Sequence, residues 1–298
     1  MGFLKLLKGI GQVVMAATSG ASASRALMAG ASTLPLNTTE PLERTNHRGE
    51  TVSLISGPVL TLAATTAAAG STGNKRLAAA SAIAGLSSGA VGFYDDIIGA
   101  RPEQKRDKGF AGHLNALKEG RVSAGLVKVV GIGAAGLAAG AVLHPRKPVD
   151  ALLAGGIIAG TANLLNLLDL RPGRAIKASM IIGAPLLGGP ARSVAATTMG
   201  AAGALLPEDL AERTMLGDSG ANALGALLGV SIAAHSGRKS KVAVLAGLVA
   251  LTAASEKISF TKVIEATPVL REIDMYGRRP PAPVVPEPAN AESTSGRP

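Results

Sequence analysis

Three carboxylates at the ends of apolar segments are the side chains in this sequence best suited to chemistry. Asp95 and Asp96 end one such segment, and Asp218 begins another much later in the chain. Magnesium binds hard oxygen ligands, commonly one or two carboxylates together with a substrate phosphate. If the segments bring these side chains together, they predict a site for a divalent cation and phosphates. The alternative is that each is a helix-end carboxylate solvated at a membrane surface.

Amide, acidic and basic side chains also occur inside or at the edge of apolar segments. Asn163, Asn166 and Asp169 recur at intervals of three, so on a helix they form one stripe. The stripe indicates either a polar binding surface or hydrogen bonds that hold neighbouring helices together. Lys128 lies within an apolar run, where a lysine either extends its ammonium group towards the interface or pairs with a carboxylate.

The loop 97–121 adds positive charge beside Asp95 and Asp96. It contains Lys105, Arg106, Lys108 and His113. A basic loop next to carboxylates suits a polyanionic substrate that is bridged through a metal ion. The excess of Lys and Arg in cytoplasmic loops of membrane proteins would produce the same loop for topology alone.

The elements that carry these residues are predicted to be transmembrane helices. Apolar residues make up 47% of the chain and charged residues only 17%, and the charges are confined to short stretches between runs of Ala, Gly, Leu and Val. Such runs of about 20 residues are long enough to cross a hydrocarbon core. The 38 glycines suit close packing of membrane helices. We therefore predict an all-α, polytopic integral membrane protein with about nine transmembrane helices, ten also being compatible. The nine predicted spans are 3–30, 52–70, 77–94, 122–143, 149–169, 174–189, 192–206, 218–236 and 241–256.

The distribution of Lys and Arg orients these spans. Loops on one predicted side carry more of them than loops on the other, and the richer side is expected to be cytoplasmic. The N-terminus is then outside and the C-terminus inside. Asp95 and Asp96, the stripe that ends at Asp169, and Asp218 then line an active-site cleft at the cytoplasmic face of the plasma membrane. A signal peptide is the alternative for residues 1–30. Residues 1–276 are predicted to form the transmembrane domain, and the Pro-rich tail 277–298 to be disordered.

Composition also limits the chemistry and the partners. The absence of cysteine excludes disulfides and thiolate chemistry. The net charge of +10 could indicate nucleic-acid binding, but the basic residues lie in loops between apolar spans. That placement favours topology and contact with anionic lipids, so no nucleic-acid partner is expected. Small-residue patterns such as Gly225 to Gly229 permit a homodimer without specifying one.

Taken together in order, several short motifs resemble a known family. The chain resembles the polyprenyl-phosphate N-acetylhexosamine-1-phosphate transferases, glycosyltransferase family 4, which include phospho-MurNAc-pentapeptide translocase. The resemblance covers about residues 45 to 279. The motifs that carry it are Asn46-His-Arg-Gly-Glu50, Gly92-Phe-Tyr-Asp-Asp96, Lys108-Gly-Phe-Ala-Gly-His113, Asn163-Leu-Leu-Asn-Leu-Leu-Asp169, Gly217-Asp-Ser-Gly220 and Ser255-Glu-Lys-Ile-Ser-Phe260.

The resemblance implies a magnesium-dependent reaction, with Mn²⁺ as a substitute, in cell-envelope glycan synthesis. A polyprenyl phosphate would attack the β-phosphate of a UDP-amino sugar and release UMP. Asp218 would hold the metal with help from Asp95, and Asp95 and Asp96 would orient or deprotonate the lipid phosphate. Asn166 and Asp169 would line the nucleotide pocket. Lys128 and His113 would meet phosphate.

Two departures from the family pattern leave other functions open. Family members usually continue Asn-x-x-Asp with Gly-x-Asp-Gly, whereas Pro172 stands here in the position of the second acidic residue. The His-rich motif of many members is also absent, and Glu256 to Ser259 stand near its place. The alternatives are a catalytically inactive membrane paralogue that binds lipid phosphate or envelope-assembly proteins, and a transporter of small solutes or ions. A transporter should place its polar groups near mid-membrane rather than at one face.

Overall fold

The structure is a computed structural model, which describes residues 2–101, 112, 116, 118–120 and 122–280. The described chain is mostly helical, with one short two-stranded hairpin. Its α-helices are α1 (Gly2–Ala31), α2 (Leu36–Thr39), α3 (Ser56–Ser71), α4 (Lys75–Tyr94), α5 (Ala124–Leu143), α6 (Pro148–Leu168), α7 (Arg174–Gly183), α8 (Arg192–Leu210), α9 (Gly217–His235), α10 (Arg238–Ser255), α11 (Phe260–Ala266) and α12 (Pro268–Met275). Short 3₁₀ segments at Glu40–Leu42 and Ala184–Gly188 and a π-helical turn at Asp95–Gly99 complete the helical elements.

The observed helices lie where the apolar runs predicted spans, but several of their ends differ; the helix predicted to end at residue 206, for example, continues to Leu210. The span predicted from residue 52 begins only at Ser56, because Thr51–Ser53 form a strand instead. The span predicted for 174–189 is α-helical only to Gly183, where Pro185 in the next turn cannot donate the backbone hydrogen bond of a regular helix. The prediction of an all-α protein is confirmed.

Three helices in the described part of the chain are long and apolar enough to cross a membrane by themselves. They are α4 extended through its π-helical turn, α5 and α6. A fourth candidate combines α10 with α11, which are bent by 97° at the break between them. These helices agree with a membrane protein.

Helix α9 forms the centre of the bundle. It packs against α3, α4, α6 and α8, and nearly all of its side chains are buried. Its close approach to α6 depends on glycine: a Cβ added at Gly225 would lie only 2.4 Å from the carbonyl oxygen of Thr161. The absence of a side chain at Gly225 therefore lets the two backbones touch, which is how membrane helices gain packing energy. Around this centre, α5 packs between α4 and α6, and α1 packs mainly against α8.

A hairpin closes one end of the bundle. Strand β1 (Glu43–Thr45) pairs antiparallel with β2 (Thr51–Ser53), and Ser53 also bridges to Thr214 in the segment between α8 and α9. The hairpin thus lies against the start of the central helix. Opposite, the ends of α5, α6 and α10 meet in a second polar group, where Arg238 pairs with Asp150 at 2.6 Å.

The first residues of the predicted C-terminal tail contact this same hairpin end. Arg279 forms an ion pair with Glu50 at 2.5 Å, and Arg48 donates hydrogen bonds to the carbonyl oxygens of Arg279 and Pro280. The rest of the tail lies outside the described residues, so the division into a helical domain and a disordered tail remains a prediction.

Candidate functional site

Asp96 links the end of α4 to the start of α9. Its two carboxylate oxygens accept hydrogen bonds from the backbone N–H groups of Asp218 and Ser219, both at 2.9 Å. The first N–H groups of a helix have no partner within the helix and carry partial positive charge, so a carboxylate there is favourable. Gly217, with φ of +60°, makes the approach possible, because an added Cβ would lie 3.0 Å from an Asp96 oxygen.

Lys128 joins the other two carboxylates. Its Nζ atom lies 2.9 Å from Oδ2 of Asp95 and 2.7 Å from Oδ2 of Asp218. The side chains of Lys128, Asp95 and Asp218 keep only 19%, 13% and 27% of their surface exposed. Such a partly buried arrangement strengthens the attraction between the charges relative to water. Of the two interpretations of Lys128 given by its sequence position, the structure shows the pairing with carboxylates.

The hairpin adds a further positive charge to this group. The guanidinium of Arg44 donates a hydrogen bond to the backbone carbonyl of Asp96 and others to the carbonyls of Pro41 and Glu43. Arg44 was not singled out from the sequence. Its position depends on the pairing of β1 with β2, and no local motif signals that pairing.

Asn166 and Asp169 reach the same end of the bundle from α6. The Asp169 carboxylate lies near the backbone N–H of Gly217, at the start of α9. Oδ1 of Asn166 and Oδ2 of Asp169 are buried without a hydrogen-bond partner among the described residues. Buried polar atoms are usually satisfied, so these two oxygens indicate room for a hydrogen-bond donor.

A cavity of about 220 Å³ opens beside Asp169. It lies between the hairpin, the segment after α6 and the end of α8. Its polar lining includes Asn46, His47, Asp169, Asp209 and Glu212. Pro172, which stands where the family has a second acidic residue, lines the same cavity.

Sequence reasoning missed two of the acidic lining residues, Asp209 and Glu212. Asp209 lies in the last turn of α8 and Glu212 just after it, both outside any recognised motif, and only the folding of this end of α8 against the hairpin brings them to the cavity. Glu212 is held by Arg48 at 2.8 Å and by the Asn46 side chain at 2.8 Å. Asp209 accepts a hydrogen bond from the backbone N–H of Gly173 at 2.6 Å.

Burial controls the charge of two groups in the cavity. Asp209 lies beyond the predicted span 192–206, and burial raises its pKa to about 6 although the Gly173 hydrogen bond opposes the shift. Burial also lowers the pKa of His47, against the attraction of Glu212. His47 is therefore expected to be neutral at pH 7.

The sequence matches no protein-family model, and no curated protein matches it significantly. The residues of the site must therefore be judged by their geometry and by the motif resemblance alone.

The donor groups fit a magnesium ion in type. Within the part of the chain that the structure describes, no three His, Cys, Asp or Glu side chains are grouped so that they could hold a metal ion. Asp95 and Asp218 nevertheless point their carboxylates at one cation, the Lys128 ammonium group. Two carboxylates supplemented by substrate phosphate and water are an ordinary magnesium ligand set. A metal ion between them would require Lys128 to move aside.

Of the residues predicted for the site, Asp95, Asp96, Lys128 and Asp218 meet directly, and Asp169 lies nearby, beside Gly217. Asn166 lies one turn before Asp169 on the same helix. His113 lies outside the described residues, so its predicted contact with phosphate is still a prediction.

Proposed function

We propose that the protein transfers a sugar-1-phosphate from a UDP-amino sugar to a polyprenyl phosphate and releases UMP. The observation that carries the proposal is the meeting of Asp95 and Asp218 at Lys128 Nζ, at distances of 2.9 and 2.7 Å. If Asp95 and Asp218 were only carboxylates solvated at helix ends, they would not be expected to share the ammonium group of Lys128. The resemblance of the motifs supplies the reaction type.

The chemistry is a phosphoryl transfer in which atoms balance without a redox partner. An oxygen of the lipid phosphate forms a bond to the β-phosphorus of the donor, and the bond from that phosphorus to the oxygen shared with the α-phosphate breaks. The sugar remains on the transferred phosphate, and UMP leaves with the electron pair. Enzymes accelerate such transfers mainly by positioning the groups and neutralising their charge.

The site residues fit three tasks in this reaction. Asp218 and Asp95 would hold Mg²⁺ or Mn²⁺, which when bound supplies neutralisation of the diphosphate charge. Lys128, once released from the carboxylates, carries a positive charge for a phosphate. Asp96 uses both oxygens on the first amides of α9, so its role in this arrangement is to position Asp218.

Donor recognition is proposed for the cavity beside Asp169. Its volume of about 220 Å³ and its backbone and side-chain hydrogen-bonding groups suit part of a nucleotide. Asp169, which lines the cavity, has one buried oxygen without a hydrogen-bond partner, and Asn166 has another one turn earlier on α6. The nucleotide would thus lie beside the carboxylates that hold its diphosphate.

The orientation proposed for the site is cytoplasmic, in a plasma-membrane protein with nine spans. The helical end that carries the site also carries Arg44, Arg171, Arg174 and Arg213, in agreement with the excess of Lys and Arg in cytoplasmic loops. Nucleotide-linked sugars would reach such a cleft directly from the cytoplasm.

One observation favours a second candidate, a catalytically inactive membrane paralogue that binds lipid phosphate. The Lys128 ammonium group already occupies the space between Asp95 and Asp218, and Pro172 replaces an acidic residue of the family. A site neutralised in this way could retain a lipid phosphate through Lys128 without supporting transfer.

The test is UMP release from membranes that contain the protein, supplied with polyprenyl phosphate, Mg²⁺ and a panel of UDP-amino sugars. We expect release that requires Mg²⁺ and is lost in Asp218→Asn. The matched control is Glu208→Gln, because the Glu208 carboxylate is half-exposed at the same end of the bundle and its ion pair among the described residues is with Arg213. Absence of release from folded protein with every donor would refute the transferase and favour the paralogue.

A further inference from the structure

The last two helices leave the bundle at a sharp angle. Helix α11 is bent by 97° from α10. If α10 crosses the bilayer, α11 therefore runs nearly parallel to the membrane surface. Helix α12 follows directly after Thr267 and packs against α11.

Ion pairs fix this helical pair at the level where the spans end. Asp274 of α12 is buried and accepts two hydrogen bonds from Arg174, at 2.9 and 3.0 Å. Arg174 also donates to the hydroxyl of Thr261 in α11 at 2.8 Å, and Lys177 donates to the Asp274 carbonyl at 2.7 Å. Arg174 begins α7, so both helices are anchored to the end of a membrane-embedded element rather than displaced into solution.

One face of α12 is apolar and uncovered. Val269, Leu270 and Ile273 remain 67%, 42% and 40% exposed. Successive residues of a helix are about 100° apart, so Leu270 and Ile273, one and four positions after Val269, lie on the same side of the helix as Val269. Arg271, Glu272 and Met275 occupy the remaining exposed side, so charged side chains are confined to the side away from that arc and the helix is amphipathic.

We propose that the apolar face of α12, continued by Val263 of α11, is embedded at the boundary between headgroups and acyl chains of the inner leaflet. A lipid surface fits better than a protein partner because the Arg174 contacts hold this pair of helices at the level where the proposed spans end, and the preceding helix α10 also exposes apolar side chains. Val242 and Val249 are seven positions apart and so share one face of α10, where they are 51% and 60% exposed. Amphipathic helices that lie in the interface bury their apolar side in this way.

This proposal rests on the membrane location and orientation proposed above and is independent of the transfer reaction. It assigns a role to an element that the reaction leaves unused. Because α12 is tied to α7 through Asp274, its insertion would hold the cavity end of the bundle at the membrane surface, where a polyprenyl phosphate headgroup lies.

The test uses spin labels on single cysteines, which the cysteine-free chain allows without other changes. The full chain is reconstituted in vesicles of phosphatidylcholine and phosphatidylglycerol. Labels replace Leu270 or Ile273 on the apolar arc, Glu272 as the matched exposed control on the same helix, and Leu137 as a depth reference on α5. Collision rates with oxygen, which concentrates in the bilayer, and with a water-soluble nickel chelate are measured for each label.

We expect the ratio of oxygen to nickel collisions to be several times higher at Leu270 and Ile273 than at Glu272, and highest at Leu137. Equal ratios at Ile273 and Glu272 would overturn the proposal, while a deep Leu137 would keep the membrane location intact. Labels at Leu270 and Ile273 that are immobilised and reached by neither reagent would also overturn it, because they would indicate a protein contact. An aqueous label at Leu137 would instead refute the membrane location itself. All four positions are exposed, so the substitutions leave the packed core unchanged.

Discussion

Replacement of Lys128 by methionine tests how much the ion pairs of Lys128 with Asp95 and Asp218 contribute to the free energy of unfolding. The substitution keeps most of the side-chain volume but leaves Asp95 and Asp218 without their shared ammonium group. Removing one partner of a fully buried ion pair costs about 3–5 kcal/mol, whereas an exposed pair contributes about 0–1 kcal/mol. Exposed fractions of 13–27% place this site between these limits. We expect a loss of about 2 kcal/mol in the free energy of unfolding.

The assay is thermal unfolding in detergent micelles, followed by helical circular dichroism without divalent cations. The control is Lys239→Met on the opposite end of the bundle, where the lysine is exposed and the expected change is near zero. Added Mg²⁺ should then partly restore the stability of Lys128→Met, because the space between the two carboxylates is no longer occupied by an ammonium group. At ten times its dissociation constant, a ligand of the folded state adds about 1.4 kcal/mol.

A second substitution shows whether any restoration arises at this site. In the double variant Asp95→Asn/Lys128→Met, one of the two carboxylates is lost, and Mg²⁺ should restore little. If Lys128→Met unfolds at the same temperature as the wild type, the ion pairs of Lys128 do not stabilise the folded protein. Equal restoration by Mg²⁺ in both variants would refute the assignment of Asp95 as a metal ligand.

Two other predictions concern the packing and the cavity. Gly225→Leu should separate α6 from α9, and the protein should then no longer elute as a single monodisperse peak in size-exclusion chromatography. Gly247→Leu is the control, because an added Cβ there meets nothing within 4 Å and the peak should not change. Similar elution of both variants would contradict this packing. The second prediction concerns Asp209, whose pKa in the folded protein is raised from its ordinary value of 3.8 to about 6. Folding therefore favours the protonated carboxyl, and the free energy of unfolding should fall as the pH rises from about 4 through 6. Asp209→Asn should flatten that part of the pH profile of unfolding temperature, and an unchanged profile would show that the Asp209 carboxyl does not cause it.

The sequence determined the helical class and the positions of the helices. Apolar runs bounded by charged residues and glycine are typical of membrane helices, and inside a bilayer the backbone hydrogen bonds must be satisfied within each segment, which selects helices. The same runs indicated which residues stand at helix ends. Asp96 and Asp218 were therefore predicted to lie at one face, because an even number of crossings returns the chain to the same side.

Tertiary structure alone decided which of these side chains meet and what each one contacts. The sequence left Lys128 with two interpretations, and the packing of α5 beside α4 brings its ammonium group to two carboxylates. The cavity residues Asp209 and Glu212 had no local signal, because their position depends on contacts between the end of α8 and the hairpin. Helix formation depends on residues that are close together in the sequence, so it can be predicted from each segment alone. A site built from several helices depends on close approaches between segments, such as that of Gly225 to α6, and no single segment specifies these.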